Sequence, residues 1–168
     1  MSTNVEQFVS YYNKAIDFLK QEFPDANPLQ PGFLKEVAIA KELGHTVETR
    51  KHLCDAYDKK NRPLEYLTCQ EDKPGKKRNF AIDGVFSSPE KYKQGSLDRI
   101  RRNHKIYYGI FIEGGLEIKE LWEGAPQELV KLVDENVTKR DPANGGKNTE
   151  HTVCITKKWV RNNCKRII

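Results

Sequence analysis

Apolar residues recur at helical spacing over Val5 to Phe23, where Val5, Phe8, Val9, Tyr12, Ile16 and Leu19 share one stripe. Pro24 ends that helix, and Asn27, Pro28, Pro31 and Gly32 form the connection that follows. The stripe suits packing on the chain's own core or on a second subunit, and the pattern fits either. A second helix is predicted over Phe33 to Leu43, stopped by Gly44, with a short strand at Thr46 to Glu48. Asp58 to Arg62 reads as a turn. Leu64 to Gln70 is β-favouring, the polar stretch EDKPGKKR is a loop, and Asn79 to Phe86 is the next strand.

Further along, Ser96 is placed as N-cap of a helix LDRIRRN, with Asp98 near its positive end. Lys105 to Glu113 (KIYYGIFIE) is the most apolar run and the predicted central strand. Leu116 to Trp122 pairs with it across Gly114-Gly115. Pro126 opens a helix to Asn136, Thr138 to Glu150 is a loop, and His151 to Ile155 is a strand. Thr156 begins a short last helix carrying Trp159 and Val160. This order predicts an α/β (α+β) fold with a central mixed β-sheet flanked by helices. Residues 1–168 read as one domain, with residues 1–30 an N-terminal helical segment, a candidate for dimerisation.

Composition narrows the function. The 168 residues are 37% hydrophobic and 32% charged, with 29 Lys plus Arg against 24 Asp plus Glu, a net charge of +5. No run approaches the ~20 apolar residues of a membrane span, and 7 Phe, 7 Tyr and 2 Trp are too much core material for a disordered tail. A polar, mildly basic domain makes nucleic acid the first partner to test. Cys54, Cys69, Cys154 and Cys164 match no zinc-ligand spacing. MSTNVEQFVS lacks the basic and apolar regions of a secretion signal, so reduced thiols in the cytoplasm are expected. His45, His52, His104 and His151 form no metal or triad pattern, and no phosphate-binding glycine loop occurs.

The chemistry concentrates in Asp55 to Gln70. Asp55 opens the turn D-A-Y-D, and Glu65 follows ten residues later within a strand. A hairpin of that length brings both carboxylates to one sheet edge. With a main-chain carbonyl of the strand they offer hard oxygen ligands to Mg²⁺, which acidifies bound water and stabilises phosphoryl charge. The same residues also suit a plain turn and a solvated strand. Basic clusters at Lys73, Lys76, Lys77 and Arg78, at Arg99, Arg101, Arg102 and Lys105, and at Lys157, Lys158, Arg161, Lys165 and Arg166 suit phosphate neutralisation or a merely solvated surface. Of the adjacent pair Arg101 and Arg102, only one can face the core side.

This segment resembles the catalytic hairpin of the PD-(D/E)XK nucleases, especially the short homodimeric type II restriction endonucleases. KEVAIAKELGH at Lys35 to His45 resembles the helix entering that hairpin. SLDRIRRNHKIYYGIFIE at Ser96 to Glu113 is similar to the interior helix and following strand, and HTVCITKKWVRNNCKRII resembles the close of the smallest members. The resemblance spans Phe33 to Ile168. It implies a restriction-endonuclease-like fold and Mg²⁺-dependent hydrolysis of double-stranded DNA at a short specific sequence by a homodimer. Asp55 and Glu65 would be catalytic and metal-binding residues, the Tyr66 carbonyl a third ligand, and Glu36 a carboxylate behind the metal. Asp58 competes with Asp55.

One departure stands out. The motif places lysine two residues after the strand acid, where this chain has Leu67. Gln70 or Lys73 would have to replace it, or Glu71-Asp72-Lys73 would be the literal motif. Otherwise the domain binds DNA without cutting it, as a pseudo-nuclease or regulatory module. For DNA contact the resemblance and the basic loops put forward Lys76, Lys77, Arg78, Ser87, Ser88, Lys91, Lys93, Gln94, Arg101 and Asn144, with Asn148 beside the last. A repair or homing nuclease on the same fold and a protein-interaction domain solubilised by its charges complete the alternatives.

Overall fold

A computed structural model describes residues 3–27, 30, 32–50, 53–86, 95–140 and 150–168. The first helix, α1 (Asn4–Glu22), opens on a capping box in which Thr3 Oγ1 accepts the Glu6 N–H and Glu6 accepts that of Thr3. It buries no residue, and Val5, Phe8, Tyr11 and Phe18 stay exposed. By contrast α2 (Phe33–Leu43) buries Phe33, Ile39 and Ala40, and Gly44 ends it in the left-handed conformation that favours glycine.

Six strands form the main sheet: β1 (Thr46–Val47), β2 (Ala56–Tyr57), β3 (Pro63–Gln70), β5 (Lys105–Phe111), β6 (Ile118–Gly124) and β8 (Lys165–Arg166), hydrogen-bonded in that order. The pair β3–β5 is parallel and the others are antiparallel, so the sheet is mixed. A second, two-stranded sheet pairs β4 (Phe80–Phe86) with β7 (Glu150–Ile155), with a bulge between Ile82 and Val85. Among the described residues three further helices follow: α3 (Leu97–Arg101), α4 (Pro126–Arg140) and α5 (Lys157–Asn163).

Alternation along the strands divides the interior in two. Leu64, Tyr66, Tyr107, Phe111 and Leu121 meet α2 on one face. Gly109 lies under that helix, where an added Cβ would stand 2.9 Å from Ile39 Cδ1, so its lack of a side chain lets α2 come close. On the other face Leu67, Ile106, Tyr108 and Ile110 join apolar residues of the β4–β7 sheet, α3, α4 and α5. Leu67 is 9% exposed in this larger cluster. Truncation to alanine should cost about 2–4 kcal/mol, read as a lower urea midpoint at unchanged slope.

Several local expectations shift. Ser96 does not cap its helix through its side chain: its backbone is already helical, and its hydroxyl donates to the Gly84 carbonyl at 3.0 Å. The strand after Gly114-Gly115 begins at Ile118, because Ile112 N–H bonds Glu117 O and widens the turn. The helix from Pro126 runs on to Arg140. Thr156 does cap α5, accepting the Trp159 N–H at 3.1 Å. Among the described residues no helix is long and apolar enough to cross a membrane.

Candidate active site

The hairpin β2–β3 sets the first acid. Asp58 closes its turn, Oδ1 accepting the N–H groups of Lys60 and Arg62 and Oδ2 pairing with the Arg62 guanidinium at 2.7 Å. With both oxygens so engaged, Asp58 is held well below the ordinary carboxylate range by Arg62. Asp55 stands differently. Its main chain is pinned on both sides, by its N–H to Leu64 O and by Glu48 N–H to its carbonyl. Its Oδ2 accepts the Tyr66 N–H at 2.6 Å, leaving Oδ1 over. The N–H and C=O of a strand residue point to the same side, so the Tyr66 carbonyl faces the edge where Asp55 sits.

Glu65 precedes Tyr66 on β3 and shares the face of Leu67. Its Oε2 lies 3.4 Å from Asn103 Nδ2. Asn103 is 5% exposed and also donates to the Arg99 carbonyl at 2.9 Å, while its own Oδ1 is buried without a partner. The carboxylates of Asp55 and Glu65 line one open cleft of about 610 Å³ together with Leu53, Asp98, Arg99 and Arg102. Behind Asp55, a smaller cavity of about 100 Å³ holds Glu36 from α2.

Three acids are therefore gathered where few charges are tolerated. Burial pushes Glu36 up to about 7, with the Asp55 charge adding to it. Burial raises Glu65 well above the ordinary range, and Asp55 raises it further. Asp55 is raised as well by burial, against the Tyr66 N–H and the charges of Arg99 and Arg102, which pull it down. Among the described residues none of the three forms an ion pair.

This donor set fits a magnesium ion. Two carboxylates in one cleft, neither in an ion pair among the described residues, and a strand carbonyl are hard oxygen donors, and Mg²⁺ characteristically keeps several waters for its other positions. Among the described residues no three His, Cys, Asp or Glu side chains form a metal cage, so the protein's share would be Asp55, Glu65 and the Tyr66 carbonyl. Glu36 would stay behind Asp55.

The candidates for the missing lysine lie elsewhere. Position 67 is filled by a core leucine. Gln70 is five residues beyond Glu65, about 16 Å along a strand, and odd spacing puts it on the opposite face. Its carbonyl accepts from Lys157. Lys73 pairs with Glu113, beyond the distal ends of β3 and β5. Arg78 shares Glu113 at 3.1 Å, while Lys76 and Lys77 are exposed in the same distal loop. Lys157 is buried against Asp72 at 2.7 Å, and Arg161 pairs with Glu120 at 2.6 Å, so these members of the C-terminal cluster serve the fold. Ser87, Ser88, Lys91, Lys93, Gln94, Asn144 and Asn148 lie outside the described residues.

Of the basic residues on α3, Arg101 pairs with Asp98 at 3.0 Å. Arg99 and Arg102 line the cleft in its place. Helical spacing held the signal: positions 99, 102 and 103 fall on one side, whereas 101 falls on the other. His45 is a packing residue, its Nδ1 2.8 Å from the Tyr66 hydroxyl. No family model matches the chain, and no curated protein matches it.

Proposed function

We propose that the protein is a Mg²⁺-dependent nuclease of the PD-(D/E)XK kind, a cytoplasmic type II restriction endonuclease that hydrolyses phosphodiester bonds of double-stranded DNA at a short specific sequence. The observation carrying this reading is the convergence of Asp55 and Glu65, ten residues apart, on one open cleft walled by Arg99 and Arg102. When bound there, Mg²⁺ would acidify water and offset charge on the phosphoryl oxygens. Asp55 and Glu65 would hold the ion, with the Asp55 orientation fixed by the Tyr66 N–H. Water oxygen bonds to phosphorus as the opposite phosphorus–oxygen ester bond breaks; the leaving oxygen gains a proton and the attacking water loses one to solvent. Asn103 would keep the Glu65 carboxylate turned into the cleft.

One such site cuts one strand. A twofold homodimer would cut both and would match a palindromic sequence, and the exposed apolar side chains of α1 supply a surface for it.

Incubation of the purified protein with phage DNA and Mg²⁺ should give discrete fragments, absent in EDTA. Leu67 in the core and, among the described residues, no lysine lining the cleft favour a second reading, binding without cleavage. Intact DNA with a retained, salt-sensitive gel shift would establish it, and no shift at all would refute both.

A further inference from the structure

We propose that Arg99 and Arg102 together seat the scissile phosphate and supply the positive charge that the residue at position 67 does not. This rests on the nuclease reading above and adds its phosphate-binding residues.

Cations of this fold differ in what holds them. Lys73 and Arg78 give their charge to Glu113, Arg101 to Asp98, Lys105 to Glu123, and Arg161 to Glu120. Arg99 and Arg102 differ. Arg99 Nη2 donates to the main-chain carbonyl of Asp83 at 3.0 Å, and Arg102 Nη2 donates to that of Leu53. Among the described residues neither forms an ion pair. A neutral carbonyl fixes a guanidinium without cancelling its charge, and one bond leaves most of its five N–H donors unused. Two anchored guanidinium groups, three residues apart on and just after α3, thus face the cleft of Asp55 and Glu65.

A phosphate is the ligand this arrangement recognises. Arginine's planar fork matches two phosphate oxygens at once, and the adjoining acids would repel a bare anion unless a divalent cation lay between them. A phosphodiester held by the two arginines, with a divalent cation on Asp55 and Glu65, would satisfy both sides. Arginine stays protonated in proteins, so the pair acts through charge and takes no proton from water.

The test is binding of a fluorescently labelled mixed-sequence duplex DNA to the full-length protein, titrated with salt at a fixed excess of Ca²⁺ to screen the acids, beside Mg²⁺-dependent cleavage. Arg99→Ala and Arg102→Ala should each lower the slope of log affinity against log salt by about 1 and slow cleavage about a hundredfold. Arg161→Ala should leave the slope unchanged. Because both arginines also hold main-chain carbonyls, Arg99→Lys and Arg102→Lys serve as second variants, expected to keep the slope while losing part of the rate. Unchanged slopes in folded alanine variants would overturn the inference. If those variants also cut normally while Glu65→Ala is dead, the nuclease reading survives alone. If the wild type does not cut but the alanine slopes still fall, the phosphate seat stands and the nuclease reading fails.

Discussion

Replacing Glu65 with alanine is expected to lower Mg²⁺-dependent cutting of duplex DNA at least about a thousandfold, since a metal ion's several kcal/mol of transition-state stabilisation correspond to that factor. Asp55→Ala should do the same. Asp58→Asn should stay within a fewfold of wild type, because Asp58 spends both oxygens on its own turn. Measured in EDTA at a pH above the raised values of both acids, the first two variants should bind DNA more tightly than wild type, because each removes a negative charge from the cleft proposed to receive the phosphate. Tighter binding with lost cutting is a combination that misfolding would not produce. Cutting by Glu65→Ala at the wild-type rate would remove the metal-site assignment.

The second large effect concerns stability. Glu36, Asp55 and Glu65 all have raised pKa values in the folded chain. A raised acid binds protons in the folded state that the unfolded chain has released, so its contribution is fully present below the ordinary carboxylate range. It is lost as pH rises through the folded value, about 7 for Glu36. The paired acids Glu71, Asp72, Glu113 and Glu120 are lowered by Lys119, Lys157, Lys73 and Arg161 respectively, and act in the opposite sense, weakening the fold as pH falls. The difference between Glu65→Gln and wild type isolates the cleft. It should be near zero at pH 5 and reach about 2 kcal/mol in favour of the variant at pH 8, a rise in Tm of about 4–8 °C. Added Mg²⁺ should raise the Tm of the wild type at pH 8 and leave Glu65→Gln nearly unmoved. A variant less stable than wild type at pH 8 would mean that Glu65 is satisfied as it stands.

Local pattern carried much of this architecture. The span of α2 with its Gly44 stop and the run KIYYGIF of β5 follow from periodicity and composition alone, because both elements bury a continuous face. The pairing of β4 with β7 does not, since 75 residues separate the partners Phe80 and Ile155 and no local period encodes them. At the site, the spacing of Asp55 to Glu65 was legible as a hairpin bringing two acids together. The two-residue period of a strand already sets Gln70 against Glu65, and the turn spacing of a helix already separates Arg101 from Arg99 and Arg102. What no period could supply is that Arg99 and Arg102 end on carbonyls of Asp83 and Leu53, contacts made across the fold.

The parallel pairing of β3 with β5 has a kinetic meaning. Parallel neighbours need a crossover, and here it runs from Glu71 to His104 and includes β4 and α3. The acids arrive on a hairpin closed by a short turn, a microsecond event, whereas the arginines arrive only when this long loop closes and β5 docks, the slow kind of contact in folding. A chain released from synthesis before β5 would carry its acidic hairpin without the strand that holds α3 against it. The cleft is thus expected to form late in folding, and hydrogen exchange at Tyr66 N–H, bonded to Asp55, should separate in refolding time from exchange at the amides of β5.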